Sequence, residues 1–530
     1  MIDHQMLDAD WTLESVLRRN ADDAPHGVFL EDQGETLTWL QVYESARAIA
    51  ANLRRIGVEP GDRVGICLPN QREFILAWFG IGVLGAIEVP LDPKLTQSAM
   101  SRSLAHSEAV ALIYASDADD RAAAAYRDLP GLRLLIRVAD SGVPCSTTPA
   151  PLSFRELLRP TEDQTFDVSR SAPVAIMYTS GTTGEPKGVV LSHAQHVTNG
   201  VQAAKVLDFS DADRILVCLP LHHNMAQGYG IWPALVSRAT VVLKPRFSAS
   251  AFWQQVRESR ATVFPFVGDI VAILTKTTPD SREHANNLRV AFGQPVPANL
   301  HRKFEVALGT RVVHLYGSTE ATIPVWAFTP SSPPGSAGTV IEGFDVEIRD
   351  DAEQAVAPGV IGEICVNARA PYALFSGYYK DDVGTAQALR DGWFHTRDLG
   401  SFDPVGNLWF HGRLGDSIRH RGQFINVSEI EQAALDHRAV RMAAVFGVRS
   451  DLVDDDIMIA VTTQTPGVLT HKELWDWLTL RLPRDHVPTY VDILDVFPLT
   501  RTGKVRKVEL RQRGVASTTV RFDVGRKPPA

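Results

Sequence analysis

Cysteine is scarce in this sequence of 530 residues, and the four present, Cys67, Cys145, Cys218 and Cys365, stand far apart. Neither a disulfide framework nor a metal-ligand pattern is written in that spacing, so a reducing cytoplasm is the expected compartment. Long apolar runs are missing too. The most apolar stretch, residues 74–87, is too short to span a bilayer and is broken by Gly80, Gly82 and Gly85. The amino-terminal MIDHQMLDADWTLESVL has no basic region followed by an apolar core, so no signal peptide is expected. Positive charge is not in excess either: 53 Lys and Arg against 62 Asp and Glu leave a net −9, which argues against nucleic acid as a partner. What the chain does have is 45% hydrophobic residues, enough over this length for several buried cores.

The first half alternates between two periodicities. TWLQVYESARAIAANLRRIG carries apolar residues at helical spacing and stops at Gly57. DRVGICLP reads as a buried strand, REFILAWFGIGVLG as a helix, and AIEVPLD and AVALIYA as further strands. That rhythm predicts layered α/β structure with mostly parallel strands. Residues 141–173, rich in Pro, Ser and Thr, read as a surface connection. From Pro330 the texture turns to short strands, as in FDVEIRDDAEQAVAPGVIGEICV, which predicts a small antiparallel β subdomain. Beyond about residue 413 comes a compact α+β region with helices in SEIEQAALDH and KELWDWLTLRL, and the closing GRKPPA is expected to be disordered.

Residues 178–193, YTSGTTGEPKGVVLSH, crowd hydroxyls, glycines and one lysine into a short space. Backbone N–H groups freed by glycine and neighbouring hydroxyls suit an anion, phosphate above all; a mobile polar surface loop is the plain alternative. This is no ordinary P-loop, because Pro186 stands five residues past Gly181 where that motif needs glycine. Gly80, Gly82 and Gly85 do spell the dinucleotide fingerprint G-x-G-x-x-G, but a helix precedes them and a strand follows, the reverse of what that site needs. Close packing of the helix through small residues is the expectation there.

Four later blocks stand in a fixed order after this loop: LYGSTEA at 315–321, GWFHTRDLG at 392–400, HGRLGDSIRHRGQFINVSEIE at 411–431 and PLTRTGKVRK at 498–507. Together the five resemble the adenylate-forming superfamily of acyl- and aryl-CoA ligases, luciferase and peptide-synthetase adenylation domains, and look most like stand-alone CoA ligases of the crotonobetaine/carnitine type. The resemblance implies a large amino-terminal lobe over residues 1–412 and a hinge at 413–416. A small mobile lobe over 417–515 and a tail at 516–530 would follow. It also implies attack of a carboxylate on the α-phosphate of ATP, chemistry made mostly of positioning and charge neutralisation. By the same resemblance Thr179, Ser180, Gly181, Thr182, Thr183 and Gly184 wrap the β- and γ-phosphates and Lys187 adds a point charge. Glu320 holds Mg²⁺, a hard cation that takes oxygen ligands. Thr319 meets the α-phosphate, and Tyr316, in the strand-end run Tyr316-Gly317-Ser318, lies on the adenine. Gly293, Gln294 and Pro295 run along the adenine, and His314 and Leu315 fall where the adenine and acyl pockets meet. Asp398 accepts from the ribose hydroxyls, as an ionised carboxylate can, with Arg413 assisting. Lys504 is the expected catalytic cation, brought to the α-phosphate by the small lobe.

LPLHHNMAQGYG supplies His223, which matches the family histidine at the acyl entrance. Asn224 stands where amino-acid-activating relatives place aspartate, which disfavours an α-amino acid. His222, Asn224, Gln227 and Phe266 are candidate pocket walls, and Leu315 should narrow the floor. These point to a small or medium acid, aryl or polar, over a long fatty chain. No carrier domain follows in the chain, so free CoA is the expected acceptor, with Gly422 beside the pantetheine arm and Arg419 and Arg421 on CoA phosphates. Gly415 replaces the usual lysine or aspartate of the hinge and keeps its torsional freedom. Two other readings stay open: delivery of the adenylate to an amine or a separate carrier protein, or activation of an unusual acid such as nitrite; and, more remotely, a non-catalytic nucleotide-binding module. The expected partners are thus a small carboxylic acid, ATP with Mg²⁺, and CoA, in a monomer or homodimer.

Overall fold

The computed structural model describes residues 11–139, 150–162, 164–179, 187–276, 286–327, 332–414, 418–420, 423–425, 427–449, 455–465, 467–499 and 505–522. The chain divides into two compact units, residues 1–346 with 366–394 and residues 347–365 with 395–530.

Local sequence explains most elements of the first unit. Helix Trp39–Arg55 starts on a reciprocal cap, in which Thr38 Oγ1 accepts from the Gln41 amide and Gln41 Oε1 accepts from the Thr38 amide. It buries Trp39, Val42, Ala46, Ile49, Ala50 and Leu53 on one face. Strand Arg63–Cys67, helix Arg72–Leu84, strand Ile87–Pro90 and strand Ala109–Ala115 follow as the periodicities predict. Helix Arg72–Leu84 is buried from Phe74 through Leu84, as a helix apolar all round must be. Its glycines serve packing, not a cofactor. A Cβ on Gly80 would lie 2.3 Å from Ile49 Cγ2, and one on Gly82 would lie 2.7 Å from Leu13 Cδ2.

Two sheets flank that helix. One has nine strands, in which Arg214–Val217, Val263–Val267, Val290–Gln294 and Arg311–Ser318 run parallel side by side. The other has eight, and its centre is the parallel group Arg63–Cys67, Ile87–Pro90 and Ala109–Ala115, with Pro173–Thr179 beside it. The helix touches both: Phe79 packs on Phe29 of the first sheet with ring centres 5.9 Å apart, and Gly82 abuts Val174 of the second. Residues 150–162 depart from the expected surface connection. Helix Phe154–Leu157 buries Phe154 and Leu157. Asn52 Nδ2 donates to the carbonyls of Leu157 and Arg159 at 3.0 and 2.9 Å, so one buried amide draws a polar, proline-containing stretch onto the core.

In the second unit, strands Val440–Arg449, Asp455–Thr463, Tyr490–Leu494 and Val520–Arg521 form a sheet covered by helices Val427–Leu435, His471–Thr479 and Lys507–Arg513. Ile430, Val445, Ile459, Leu474 and Val491 share its main core, and Phe446, Met458, Phe497 and Leu510 a second one. Among the described residues no helix is long and apolar enough to cross a membrane.

One ionic latch joins three adjacent strands of the nine-stranded sheet at their amino ends. Asp213, Thr262 and Arg289 each stand directly before one of three adjacent parallel strands. Arg289 donates to both oxygens of Asp213 at 2.8 Å, Thr262 Oγ1 donates to it at 2.6 Å, and the Ser210 amide at 2.9 Å. Burial raises the Asp213 pKa, but Arg289, Thr262 and Ser210 together outweigh it and leave the carboxyl below its ordinary range. Because the folded pKa is depressed, the latch stabilises fully above the unfolded carboxyl's pKa and is lost as pH falls through the folded one. Asp213→Ala should destabilise by about 2–3 kcal/mol, less than a fully buried pair because Arg289 is 35% exposed. Thermal unfolding of wild type and variant should converge as the pH is lowered; a gap that persists in acid would remove the latch.

Candidate active site

Parallel strands place the residues that follow them along one edge, the place where open α/β sheets bind ligands. Past strand Arg214–Val217 lies the turn carrying His222 and His223; Phe266 ends the next strand; Gly293, Gln294 and Pro295 end the third; Leu315 through Glu320 end the fourth. Gln294 Nε2 donates to the Gly317 carbonyl at 3.0 Å and ties the last two together. A Cβ on Gly293 would lie 2.1 Å from the Phe266 carbonyl oxygen, and one on Gly317 2.1 Å from that of Thr322, so neither position admits a side chain.

The histidine turn is held by residues the sequence reading did not single out. Asn70 Nδ2 donates to the Leu219 and Lys244 carbonyls, and Asn70 Oδ1 accepts from the Leu221 amide at 2.8 Å. Gln227, a candidate pocket wall, is fully buried and donates to the Leu221 carbonyl at 2.8 Å and to Glu88 at 3.4 Å. Burial holds the Glu88 carboxyl well above its ordinary pKa, with the Gln227 bond a small opposing effect. The His222 and His223 rings meet tilted at 51°, 4.4 Å between centres, with His223 the exposed one. Burial first, and then His223, push His222 down to about 4. Asn224 is buried, Phe266 packs edge-on to Phe304, and Leu315 and Tyr316 are buried in the strand. His314 is buried as well; its Nδ1–H donates to the Ser336 carbonyl at 2.8 Å, and burial holds the ring at about 4, neutral at physiological pH.

A second convergence joins the two sheets. Thr179 and Lys187 face each other at the base of the hydroxyl-rich loop, while Ser180, Gly181, Thr182, Thr183 and Gly184 lie outside the described residues. Strand Gly377–Tyr378 pairs with strand Lys187–Ser192, which sets the Tyr378 ring 4.3 Å from the Lys187 ammonium. The same tyrosine's hydroxyl donates to Glu320 Oε1 at 3.1 Å. Lys187 also pairs with Asp381 at 3.4 Å, and the Gly384 amide first, then Lys187, holds the Asp381 carboxyl below its usual range. One tyrosine thus bridges the cation and the carboxylate that the loop and the YGSTE block contribute. The signal for it was the aromatic pair in SGYYK at 376–380.

The turn bearing Thr319 and Glu320 is clamped from behind. Gln195, wholly buried on helix His193–Val206, donates through Nε2 to both the Thr319 and Glu320 carbonyls at 3.1 Å, and the Phe375 amide donates to the Glu320 carbonyl at 2.8 Å.

In the second unit Asp398 lies opposite Arg413 on antiparallel strands, with Arg413 Nε 3.4 Å from Asp398 Oδ1. The residue before it, Arg397, has φ +59°, a left-handed conformation that costs an L-residue about 1–2 kcal/mol. Bonds on both of its peptide groups hold it there: its amide donates to Glu363 Oε1 at 2.8 Å and its carbonyl accepts from the Leu414 amide at 2.7 Å. Arg419 lies on the short hairpin strand Ile418–His420, which pairs with Gln423–Ile425. Arg421, Gly422 and Gly415, the glycine expected at the hinge, lie outside the described residues, as does Lys504. The base of the Lys504 loop is pinned, since Leu499 and Val505 pair and the Arg506 amide donates to the Pro498 carbonyl at 2.8 Å. Of the basic residues around Lys504, Lys507 is bound to Glu431 at 2.7 Å, Arg513 to Asp492 at 3.6 Å and Arg506 to Glu509.

Residues 17–379 match the family described as AMP-binding enzyme, and residues 429–504 match the AMP-binding enzyme C-terminal domain. The chain belongs to the AMP-binding enzyme family. It is similar to a feruloyl-CoA synthase of an Amycolatopsis species, 31% identical over 93% of this chain and 97% of that protein. A crotonobetaine/carnitine–CoA ligase of Escherichia coli O157:H7 is 28% identical over 89% of this chain and 93% of its own. Among solved structures, an anthranilate–CoA ligase with anthranoyl-AMP superposes with a TM-score of 0.84 over 96% of this chain and 98% of its own, at 23% identity. The o-succinylbenzoate–CoA synthetase of Bacillus subtilis, held with its acyl-adenylate, gives 0.81 over 95% and 98% at 25% identity. The fold expected from the sequence, a large α/β amino-terminal lobe and a small α+β carboxy-terminal one, is therefore the fold of these enzymes.

Two outcomes follow for this AMP-binding enzyme. Gln195→Met keeps length and loses the donor, leaving the Thr319 carbonyl without it and the Glu320 carbonyl with the Phe375 amide alone; unfolding should shift by about 1–3 kcal/mol, and an unchanged midpoint would discard the clamp. Arg397→Gly should stabilise by about 0.5–1 kcal/mol, the relief of the left-handed strain less the entropy of glycine, while Arg397→Val destabilises. The check is a thermal melt of both variants, which should move in opposite directions.

Proposed function

We propose that this enzyme joins a carboxylic acid to coenzyme A in two steps. First the carboxylate attacks the α-phosphorus of ATP and expels pyrophosphate, leaving an acyl-adenylate. Then the CoA thiol attacks the acyl carbon, AMP departs, and the thiol proton passes to solvent. The observation that carries this reading is the bridge from Lys187 through Tyr378 to Glu320, beside the base of the phosphate-type loop and at the carboxyl ends of the parallel strands. Lys187 supplies positive charge to a polyphosphate. Glu320 offers oxygen alone to a cation, its carboxylate oriented by the Tyr378 hydroxyl, which fits Mg²⁺. Such an ion, when bound, neutralises phosphate charge. Thr319 is presented to the α-phosphate by the turn that Gln195 clamps. Asp398 receives the ribose hydroxyls, with Arg413 alongside it.

Lys504 is assigned the transition-state cation; the match to the family's C-terminal domain runs up to this residue. The lobe beyond a hinge at 413–416 presents Lys504 for the first step and the Gly422 hairpin, with Arg419 and Arg421, for the second. The acid is small or medium and carries an aryl or polar group: Leu315 is a bulky floor, and Asn224 is a buried neutral amide whose oxygen has no partner among the described residues. Names of relatives support the same class, since feruloyl and anthranoyl groups are aryl. A cytoplasmic location fits the buried thiols of Cys67, Cys218 and Cys365, which form no disulfide.

The deciding experiment measures pyrophosphate release over a panel of aryl and short polar acids, with and without CoA. Release that needs an acid, followed by thioester with CoA, is the expected result. Release without thioester would move the acceptor to an amine or carrier, and no release with any acid would overturn the reading. In the same assay Lys504→Ala should slow adenylate formation by about 10²–10³-fold while ATP still binds.

A further inference from the structure

In the second unit a thiol, an imidazole and a carboxylate meet, and none of them has a part in the reaction above. Glu363 and Cys365 stand two residues apart on strand Gly362–Ala368 and so share one face of it. His395 stands on strand Trp393–Phe402, the neighbour in the same sheet. Cys365 Sγ lies 3.4 Å from His395 Nδ1, and Glu363 Oε2 lies 3.1 Å from the same nitrogen. All three ligand atoms fall within 4.8 Å of one another. Cys365 is fully buried and His395 is 4% exposed.

Hydrogen bonding alone serves this arrangement poorly. A ring nitrogen has one in-plane position, taken either by a hydrogen or by a lone pair, and two partners converge on it. A cation between the three atoms meets all of them at once. Zn²⁺ takes sulfur at about 2.3 Å and imidazole nitrogen or carboxylate oxygen at about 2.0–2.2 Å. In a tetrahedral site those bonds place neighbouring ligand atoms about 3.3–3.6 Å apart, within a few tenths of an ångström of the two separations found here. Charge balances as well: one thiolate and one carboxylate cancel a divalent ion, which a buried site requires. Sulfur selects against Mg²⁺, a hard ion that prefers oxygen. Glu363 is already oriented by the Arg397 amide on its other oxygen, as ligating carboxylates usually are.

We propose that Glu363, Cys365 and His395 bind a thiophilic divalent cation of the Zn²⁺ class, joining the two strands three residues ahead of Asp398. On binding, Cys365 releases its thiol proton to solvent, His395 gives the Nδ1 lone pair while its hydrogen sits on Nε2, and Glu363 stays ionised. Water fills the fourth position.

The probe is Co²⁺ added to chelator-treated full-length protein. One equivalent should produce a thiolate-to-cobalt charge-transfer band with tetrahedral d–d bands; Zn²⁺ should displace it and excess Mg²⁺ should not. Cys365→Ser should lose the charge-transfer band, whereas Cys67→Ser and Cys218→Ser keep it. X-ray absorption of the zinc-loaded wild type needs no variant and should find a single sulfur at about 2.3 Å with nitrogen and oxygen neighbours. A cobalt spectrum without the thiolate band, a band that survives Cys365→Ser, or zinc with no sulfur neighbour would each overturn the site.

Discussion

The arrangement of the first unit depends on the latch around Asp213. A carboxylate before one strand, a hydroxyl before the next and a guanidinium before the third are joined at 2.6–2.8 Å. Hydrophobic packing would tolerate other registers of these apolar strands, because it is not directional. The bidentate guanidinium–carboxylate pair is directional and fixes one of them. With the amino ends of these three strands aligned, the segments near residues 222, 266 and 294 become neighbours along one edge.

Several histidines of the first unit are buried without charge. Burial lowers His193 and His314 to about 4 and His196 to about 3, so these rings stay neutral at physiological pH. His193 instead accepts from the Leu13 amide at 3.2 Å, and His196 stacks on Trp232 with ring centres 5.4 Å apart. Near the loop base Lys187 and Glu320 are spaced by Tyr378, Asp381 pairs with Lys187, and the neighbouring Lys380 is paired with Glu108.

The second unit follows a different economy. Several of its described basic residues are engaged by its own carboxylates, as Lys507 is by Glu431 and Arg513 by Asp492. The unit keeps its strain at Arg397, where bonds to Glu363 and from Leu414 hold a left-handed residue directly before Asp398. Strain held by its surroundings at a site residue fits a position whose orientation matters more than its local stability.

The sequence by itself determined the elements and the chemistry of the motifs. Helix Trp39–Arg55 and strand Ala109–Ala115 were legible because capping and periodicity are local: the residues that decide them lie within a few positions of each other. The motif blocks were legible because their residue types and order are carried by the chain itself. Only the tertiary structure decided what holds those blocks. Tyr378 meets Glu320 from 58 residues away, Gln195 reaches Thr319 across 124, and Asn70 reaches Leu221 across 151. The docking of residues 154–159 on Asn52 was illegible for the same reason, its partners lying 105 and 107 positions off. A buried amide or phenol has no periodicity to announce it; its partner is chosen by how the sheets come together, and that is a property of the packed chain.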